Sequence, residues 1–586
     1  MKVMLLFPPH WTPAMPHLAL PTLTAFLRER GVEVIQRDLN LEVFEALLTR
    51  RHLEQAVARL REGRWAGPGS PVGAASALPE RVDWALNRGP EVAARVDDAV
   101  SVIRSPAFLD GPRGVAALLT IAEALGIASL PFYPASLELT RYVPPVPVDS
   151  SRALLRAVRE RRLNVFLELF ETGVIPDIER EQPQIVGISV CTMDQMLAGM
   201  TLAHLIKERG LPGHVTVGGP HITMLREQIP RVRALFDVVD SAVVFDGAEP
   251  LLRLAEALEG GRGLSAVPNL IYRDGGRVRV NPVKVRASEP APMPDFEGLP
   301  LGRYLVPYPV LPLATSRGCY HGRCAFCNVG YGAPVGYHRF TTEAVVKQML
   351  ALHRRYGVRH IFFADEVIAP RTLREISEAL ESLGAPVHWC GCARLERALT
   401  GELLSRMAAG GCRMLLFGLE SASPQIVQRM RKGTTPEEAS RVLRESAQAG
   451  IWNHVFFFFG FPGETLDDAQ ETVNFVFAHR DAIHSASPGA FLLERYAAVH
   501  RSPASFGVTR IIDNRGTDLA IHFDYEVALG MGEDMAELVV QRFLDVLPVK
   551  EFGQYYVSDA HRFTYASDLY ERRQPMPVWL ASGGPR

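Results

Sequence analysis

Short apolar runs alternate with longer amphipathic stretches through most of the chain. Lys2–Phe7 is a nearly continuous apolar run, and residues 18–30 carry apolar side chains three and four positions apart before Gly31. A short apolar run predicts a strand buried on both faces, whereas the wider spacing predicts a helix with one buried face. Residues 32–35 repeat the strand pattern, so the chain is predicted to begin with a β-α-β unit and a parallel sheet.

This alternation is interrupted and then resumes. Residues 41–164 keep helical spacing but contain few strand-like runs, which predicts a largely helical insertion. Strand patterns return at four places, the last of them a predicted hairpin: residues 184–190, 214–217, 238–245 and 269–280. Residues 1–280 are therefore predicted to form one doubly wound, Rossmann-like α/β domain.

A proline-rich stretch separates this region from a second α/β series. Residues 281–310 contain seven prolines and are predicted to be an interdomain linker. Six strand patterns alternate with helical patterns across residues 311–501, which predicts a partial (β/α)6 barrel. The predicted strands are residues 311–316, 359–364, 387–392, 413–418, 454–460 and 489–495. Residues 502–586 lose the pattern and are predicted to form a C-terminal extension.

Composition narrows the class of protein further. The chain has 586 residues, 47% of them hydrophobic, and a formal net charge of -2. This balance gives no electrostatic reason to expect a nucleic-acid or membrane partner. The longest apolar run that stands out, Val455 to Pro462, spans about eight residues, far short of the roughly 18 that cross a bilayer. We therefore expect a cytoplasmic protein.

Three of the seven cysteines lie within nine residues. Cys319, Cys324 and Cys327 follow the first predicted strand of the second series with the spacing Cys-x4-Cys-x2-Cys. Three thiolates on one loop can bind three irons of a [4Fe–4S] cluster and leave the fourth iron open to a ligand. The alternative is a structural zinc ion, with His321 or a distant cysteine as the fourth ligand.

The loop and the strand ends that follow it resemble the radical S-adenosylmethionine (SAM) superfamily. The usual family spacing is Cys-x3-Cys-x2-Cys, so this loop is one residue longer, and the aromatic residue before the third cysteine is Phe326. The resemblance implies a reductive cleavage of SAM to a 5′-deoxyadenosyl radical. It also implies a set of SAM-binding residues that includes Phe326. The others lie at successive strand ends, in the order amino group, carboxylate, ribose and adenine: Asp365 and Glu366, Arg394, Glu420, and Gly460 with Gly463.

The first domain resembles the cobalamin-binding domain that precedes the radical SAM domain in one large subgroup. The resemblance rests on the segments 187–192, 217–221 and 246–249, and the last of them departs from the usual Gly-Glu-Gly-Glu pattern. It implies cobalamin contacts at strand ends: Ser189, Thr192, Gly218, Gly219, His221 and Glu249. The alternative is a domain that has lost cobalamin and serves as a docking platform.

The sequence lacks the Asp-x-His-x-x-Gly signature that supplies an axial histidine in other cobalamin proteins, so cobalt is expected to lack that ligand. His10 and His221 lie in loops after predicted strands, where either can face a ligand or serve as a polar loop residue. Residues 492–496, in the sixth predicted strand, can face the substrate.

The resemblance implies a cobalamin-dependent enzyme that methylates an unactivated carbon of a natural product or peptide. It also implies a small-molecule or peptide substrate and an electron donor such as flavodoxin or ferredoxin. Two alternatives remain open: a non-methylating cyclase, oxidase or rearrangement enzyme, and a metal-stabilised binding protein without catalysis. No residue of the sequence identifies the substrate, and the helical insertion and C-terminal extension are predicted to shape its pocket.

Overall fold

The computed structural model describes residues 1–63, 78–284, 292–332, 336–514, 516–546 and 557–577. The chain divides into two units. The first comprises Met1–Tyr308 with Arg515–Ala520, and the second comprises Pro309–Asn514 with Ile521–Arg586. Each unit contains its own largely parallel sheet, so the two α/β series of the sequence correspond to two sheets.

The first unit is built on a seven-stranded sheet. Its strands, with the short pair β3 and β4, are β1 (Lys2–Phe7), β2 (Glu33–Asp38), β3 (Ser136–Leu137), β4 (Tyr142–Val143), β5 (Ile185–Ser189), β6 (His214–Gly218), β7 (Ser241–Val243), β8 (Leu270–Asp274) and β9 (Arg277–Val280). The order is β2-β1-β5-β6-β7-β8-β9. The first five are parallel, and β8 and β9 form the antiparallel hairpin that the Asp-Gly-Gly sequence predicts.

Helices cover this sheet and form the insertion. They are α1 (Ala19–Arg28), α2 (Leu39–Leu47), α3 (Arg50–Arg61), α4 (Leu78–Ile103), α5 (Gly111–Ser129), α6 (Ser151–Ala157), α7 (Phe166–Gly173), α8 (Ile175–Glu181), α9 (Met196–Glu208), α10 (Pro220–Met224) and α11 (Ala248–Glu259). The side chains of β1 pack against α1 and α11 in one apolar core. The buried Asp38 carboxylate starts α2 by accepting a hydrogen bond from the Leu41 amide at 3.0 Å.

Part of the predicted linker packs into the first unit. The Asp295 carboxylate pairs with Arg28 at 2.7 Å, and the Tyr304 hydroxyl donates to Asp38 at 2.7 Å. Phe296 and Tyr304 are both buried. Prolines in this stretch suggested a spacer because proline restricts the local backbone, but the aromatic residues between them have apolar surface that the fold buries.

One helix of the insertion is apolar enough, by length and composition, to be compared with a membrane span. It covers Gly111–Phe132, and 61% of its most apolar window is buried inside the fold. The sequence pattern did not single out this helix, because small residues and isolated polar ones interrupt its apolar run. A mostly buried core helix passes the same test, so this helix is weak support for a membrane location.

The second unit is built on six parallel strands in sequential order. The strands of this unit, including the short ones outside the main sheet, are β10 (Val310–Leu313), β11 (Ser316–Arg317), β12 (His338–Arg339), β13 (His360–Phe363), β14 (His388–Arg394), β15 (Cys412–Glu420), β16 (Trp452–Phe459), β17 (Ser485–Ala490), β18 (Leu493–Glu494), β19 (Val508–Ile512) and β20 (His522–Val527). The sheet order is β10-β13-β14-β15-β16-β17. Sequential parallel strands with helical crossovers give the predicted open (β/α)6 barrel.

The helices of this unit include crossovers and two helices of the C-terminal extension. They are α12 (Thr342–Tyr356), α13 (Pro370–Ser382), α14 (Gly401–Ala409), α15 (Pro424–Arg429), α16 (Pro436–Gln448), α17 (Leu466–Ala478), α18 (Ala498–Arg501), α19 (Glu533–Asp545) and α20 (Asp559–Glu571). Helix α20 lies under the barrel, where the Ser567 hydroxyl bonds His360 at 2.9 Å at the amino end of β13.

The sixth barrel strand was predicted about four residues too late. β17 runs from Ser485 to Ala490, whereas the strand was predicted at residues 489–495. Its serine, proline and glycine composition hides the strand pattern, and pairing with the phenylalanine-rich β16 defines it. Consequently Leu492 lies beyond the strand and is exposed.

Candidate functional site

The cysteine loop leaves the carboxyl end of β10 and is fixed there by a buried carboxylate. Asp365, just after β13, accepts hydrogen bonds from the Thr315 amide at 2.8 Å, the Thr315 hydroxyl at 2.8 Å and the Ser316 hydroxyl at 2.6 Å. Burial raises the pKa of Asp365, while these hydrogen bonds oppose that rise. Asp365 therefore positions the start of the cysteine loop, and its contact with the SAM amino group stays a prediction.

The three loop cysteines line one cavity of about 1140 Å³. Cys319, Cys324 and Cys327 are each partly exposed. The Gly322 amide points at the Cys319 Sγ at 3.5 Å, and the Val329 amide points at the Cys327 Sγ at 3.4 Å. Amide donors aimed at sulfur stabilise thiolates and the clusters that they hold, so this set of donors fits an iron–sulfur cluster.

The described residues form no ready-made site for a single zinc ion. The His321 Nε2 donates to the Arg431 carbonyl oxygen at 2.9 Å, so only its Nδ1 is available to a metal ion. Among the residues that the structure describes, no three Cys, His, Asp or Glu side chains converge closely enough to hold one ion. A cluster tolerates wider thiol separations because each thiolate binds a different iron.

The cysteine loop is anchored to the segment after α15. The Ala325 amide donates to the Met430 carbonyl at 2.8 Å, and the Val499 amide donates to the Ala325 carbonyl at 3.1 Å. Phe326 stands edge-on to Phe458, with ring centroids 5.2 Å apart. The aromatic residue before the third cysteine thus packs on the end of β16 and supports the loop from below.

Arg394 and Glu420 meet through a lysine that the sequence analysis did not identify. The Lys432 ammonium lies 2.7 Å from the Glu420 carboxylate, and the Arg394 guanidinium donates to the Lys432 carbonyl oxygen. Arg394 also pairs with Glu396 at 3.1 Å. The Lys432 and Glu420 side chains are only 8% and 13% exposed, so this is a nearly buried ion pair. The predicted carboxylate-binding and ribose-binding residues belong to one charged network.

Gly418 leaves room for that network. A Cβ atom at Gly418 would lie 2.2 Å from the Glu420 Oε1 and 2.7 Å from the Lys432 Nζ. Gly418 is in register with Arg394 on β14 and Phe456 on β16, and both Gly418 and Phe456 are partly exposed. The carboxyl half of the barrel therefore presents an accessible inner face beside the ion pair.

Glu366 is the exposed member of the predicted acidic pair. Its side chain is exposed, unlike that of Asp365. Partial enclosure and the nearby carboxylates of Asp365 and Glu494 raise the pKa of Glu366. An exposed carboxylate at the barrel mouth is able to accept from an ammonium group, and the contact of Glu366 with the SAM amino group stays a prediction.

The glycine-rich loop after β16 is closed by a buried carboxylate. Glu464 accepts from the amides of Gly460 at 2.5 Å and Phe461 at 3.1 Å. A Cβ at Gly460 would lie 2.5 Å from the Ala536 Cβ on α19, and one at Gly463 would lie 2.7 Å from the Arg429 guanidinium. Packing within this unit thus accounts for both glycines, and a contact with adenine stays a prediction.

Glu464 gives the loop a pH dependence. Burial raises the pKa of Glu464 to about 7, so the folded protein favours the protonated carboxyl. Stability from this group is fully present below its unfolded pKa of about 4.5 and is lost as pH rises through about 7. We expect the unfolding free energy of Glu464→Gln to exceed that of wild type by an amount that grows between pH 5 and pH 8, to about 3 kcal/mol.

The measurement is urea unfolding of both proteins at several pH values. Glu402→Gln is the control, since Glu402 is 76% exposed on α14. A wild-type to Glu464→Gln difference that stays constant with pH would contradict the buried-carboxyl assignment.

In the first unit, the predicted cobalamin residues lie at or just after the carboxyl ends of β5, β6 and β7. Ser189 and Gly218 end their strands in register with each other. A Cβ at Gly219 would lie 2.4 Å from the Val190 carbonyl oxygen, so only glycine lets these two loops approach. Glu249 lies in the first turn of α11 and pairs with Arg253 at 2.8 Å. These residues share one edge of the sheet.

The order of the strands places a crevice at this edge. Strand order reverses between β1 and β5, and ligands of such sheets bind outside the carboxyl ends at this switch point. Gln195 joins the two loops there: its amide donates to the Pro8 carbonyl at 2.6 Å and its Oε1 accepts from the Cys191 amide at 2.7 Å. The same Oε1 also accepts a hydrogen bond from the Thr192 amide at 3.3 Å.

The two loop histidines are both buried. The His10 Nε2 donates to the Glu138 carbonyl oxygen at 2.8 Å, and burial lowers the pKa of His10 to about 4. His221 is 4% exposed in the first turn of α10. His10 is thus tied to the helical insertion and serves the fold. The histidine at the switch point is instead His17, which stacks on Phe7 with ring centroids 4.8 Å apart.

Lys432 and Gln195 are the site residues that sequence reasoning missed. Neither lies in a motif, and each acts on residues far along the chain or across a loop. The one available signal for Lys432 was its place in an Arg-Lys-Gly-Thr-Thr segment directly after a predicted helix.

Comparison with known proteins bears on both units. Residues 313–476 match the model of the Radical SAM superfamily. The chain is 30% identical over 305 residues to an uncharacterized methyltransferase of Pyrococcus horikoshii, covering 51% of this chain and 65% of the relative. It is 27% identical over 321 residues to the anaerobic magnesium-protoporphyrin IX monomethyl ester cyclase of Rubrivivax gelatinosus, covering 52% and 56%. The matches span less than two thirds of either relative.

Solved structures resemble the whole chain. The cobalamin-dependent S-adenosylmethionine radical enzyme OxsB, with aqua-cobalamin and S-adenosylmethionine bound, matches with a TM-score of 0.59 and 15% identity, covering 99% of this chain and 77% of that chain. The methyltransferase TsrM from Kitasatospora setae, with cobalamin and a [4Fe-4S] cluster bound, matches with a TM-score of 0.56 and 15% identity, covering 97% and 99%. The predicted fold class, a Rossmann-like unit followed by a radical SAM barrel, is confirmed.

Proposed function

The chain carries a radical SAM domain at residues 313–476, and from that premise we propose that it is a cobalamin-dependent radical SAM enzyme. The proposed reaction is methylation of an unactivated carbon in a small-molecule or peptide substrate. The family of the domain implies a [4Fe–4S] cluster and SAM as cofactors, as the resemblance in the sequence also implied.

One observation carries the proposal. Cys319, Cys324 and Cys327 line a single cavity at the carboxyl edge of the barrel, with amide donors aimed at two of the three sulfurs. Three thiolates leave one iron of a cluster without a protein ligand, which is the position that a chelating cosubstrate needs. A structural cluster or zinc site would more usually have a fourth protein ligand.

The chain's own residues would bind and orient the cofactors and the substrate. The three thiols would hold the cluster, Glu366 would accept from the SAM amino group, and the Glu420–Lys432 pair would lie at the ribose. When bound, the cofactors supply the radical and the transferable methyl group, which amino acid side chains do not provide. The partly exposed inner face at Gly418 and Phe456 would hold the substrate beside SAM.

The first unit would bind cobalamin at its switch point. Support comes from the reversal of strand order between β1 and β5 and from the small or polar strand ends at Ser189, Thr192, Gly218 and Gly219. His221 and Glu249 complete the proposed set. His10 is engaged with the Glu138 carbonyl and is left out of it. A cytoplasmic location and a one-electron donor such as flavodoxin or ferredoxin belong to the same proposal.

The test is anaerobic. The purified protein is reconstituted with iron and sulfide, incubated with hydroxocobalamin, desalted and examined by absorbance. Cluster absorbance with stoichiometric corrin bands is the expected result, and SAM with dithionite should then yield 5′-deoxyadenosine. Iron without 5′-deoxyadenosine would reject the enzyme in favour of a metal-stabilised binding protein. Cluster absorbance without corrin would remove the methyl-transfer argument and favour a docking role for the first unit.

A second function is a non-methylating cyclisation, oxidation or rearrangement. It is favoured by the 27% identity to a relative named as a cyclase. S-adenosylhomocysteine distinguishes the two reactions, because methyl transfer from SAM releases it and radical formation alone does not. Turnover that yields 5′-deoxyadenosine without S-adenosylhomocysteine would select the second function.

A further inference from the structure

Three arginines stand at the mouth of the thiol cavity without carboxylate partners among the residues that the structure describes. They are Arg323 in the cysteine loop, Arg431 after α15 and Arg501 at the end of α18, and we refer to them as the arginine rim. All three side chains are exposed. Within the described part of the chain, none of them forms an ion pair. Other arginines of this unit do have carboxylate partners, as Arg339, Arg394 and Arg406 do.

The positive charge of the rim is local. The whole chain has a formal net charge of -2, yet Glu437 is the single acidic residue among the described residues that line this cavity. Three guanidinium groups against one carboxylate produce a positive surface potential around the mouth. Such a potential attracts acidic partners and raises the rate at which they associate.

The rim and the three thiols belong to one cavity. Cys319, Cys324 and Cys327 line the same space as Arg323, Arg431 and Arg501. A cluster held by these thiols would therefore lie directly beneath the basic surface. Because the thiols are partly exposed, a docked protein could bring its own redox group close to the cluster.

We propose that the arginine rim is the docking surface for an acidic one-electron carrier protein of the flavodoxin or ferredoxin class. This inference rests on the proposed function, since only a redox cluster requires such a partner. In the step, the reduced carrier loses one electron and the thiol-held cluster gains it, and no atom changes place. Electron-carrier complexes bury small interfaces, so charge attraction at a few exposed arginines suffices.

An acidic substrate bound by the same arginines is the competing interpretation. The exposed position of the side chains favours a protein surface, because a substrate site would bury the charges that hold an anion. The two interpretations differ in one measurable respect. Loss of a docking surface lowers the reaction rate only when a protein supplies the electron, whereas loss of a substrate or SAM site lowers the rate with any reductant.

The test uses the full-length reconstituted protein and the triple variant Arg323→Glu, Arg431→Glu, Arg501→Glu. The assay is 5′-deoxyadenosine formation from SAM, driven either by flavodoxin with its NADPH-dependent reductase or by dithionite. We expect the half-saturating flavodoxin concentration to rise at least about tenfold, since each reversed exposed charge contributes modestly. The dithionite-driven rate should stay within about twofold, and salt should weaken the wild-type flavodoxin dependence.

The matched control is Arg374→Glu, an exposed arginine on α13, which should leave both rates unchanged. The corresponding glutamine triple variant replaces the glutamate one if the latter fails to hold iron. If the triple variant keeps both the wild-type flavodoxin dependence and the dithionite-driven rate, the docking proposal is wrong and the proposed function stands. Equal losses with both reductants overturn it too and assign the arginines to substrate or SAM. No 5′-deoxyadenosine from wild type with dithionite rejects the proposed function and the docking surface together.

Discussion

Replacing Cys319, Cys324 or Cys327 with alanine should each lower 5′-deoxyadenosine formation at least about a hundredfold, because even an outer partner of a metal ligand is worth 10–100-fold. Each substitution removes one of the three thiols that line the cavity. The iron bound per chain after reconstitution should fall in parallel. Iron content, visible absorbance and 5′-deoxyadenosine are measured on the same samples.

The controls are two cysteines of the same unit. Cys390 is fully buried on β14, and Cys392 is partly exposed two residues later. Neither of these two cysteines is among the residues that line the cavity shared by Cys319, Cys324 and Cys327. Cys390→Ala and Cys392→Ala should keep the cluster and SAM cleavage. Loss of the cluster in either would show that the ligand assignment is wrong.

Replacing Lys432 with methionine should cost about 3–5 kcal/mol of unfolding free energy, because it leaves the Glu420 carboxylate buried without its partner. The two side chains are 8% and 13% exposed and their charged atoms lie 2.7 Å apart. The same change should weaken SAM binding, since it frees Glu420 from its position at the end of β15. Urea unfolding measures the first effect, and equilibrium dialysis of SAM against the reconstituted protein measures the second.

A more exposed ion pair in the same unit provides the comparison. Arg441 and Glu445 pair at 2.6 Å on α16 with 34% and 30% of their side chains exposed. Glu445→Gln should cost less than about 1 kcal/mol and leave SAM binding unchanged. The double variant Lys432→Met, Glu420→Gln should recover part of the stability but none of the SAM affinity. A Lys432→Met protein as stable as Glu445→Gln would contradict the buried pair.

The two units hold the loops of their proposed sites in different ways. In the second unit, buried carboxyl groups fix the backbone: Asp365 holds the start of the cysteine loop and Glu464 closes the glycine-rich loop. In the first unit, close backbone approach at Gly219 and the bridging amide of Gln195 hold the loops. Both arrangements fix loops at the carboxyl edge of a parallel sheet before any cofactor binds, which reduces the ordering cost of binding.

Local pattern alone determined much of this protein. Apolar runs and helical spacing predicted two α/β series, because burial on a sheet face or a helix face repeats with a short period along the chain. The Cys-x4-Cys-x2-Cys spacing predicted one loop with three metal-binding thiols, because all three ligands lie within nine residues. Successive strand ends predicted the edge on which the functional residues lie, since parallel strands end on the same side.

Only the tertiary structure decided which polar side chains are engaged in hydrogen bonds or ion pairs within the fold. Asp365 accepts a hydrogen bond from Thr315, fifty residues earlier, and His10 donates one to the Glu138 carbonyl, 128 residues later. Lys432 acquires its role from Glu420, and three arginines from distant parts of the chain line one cavity. The sequence could not decide these matters, because partnership between distant charges depends on how loops pack and not on any spacing along the chain.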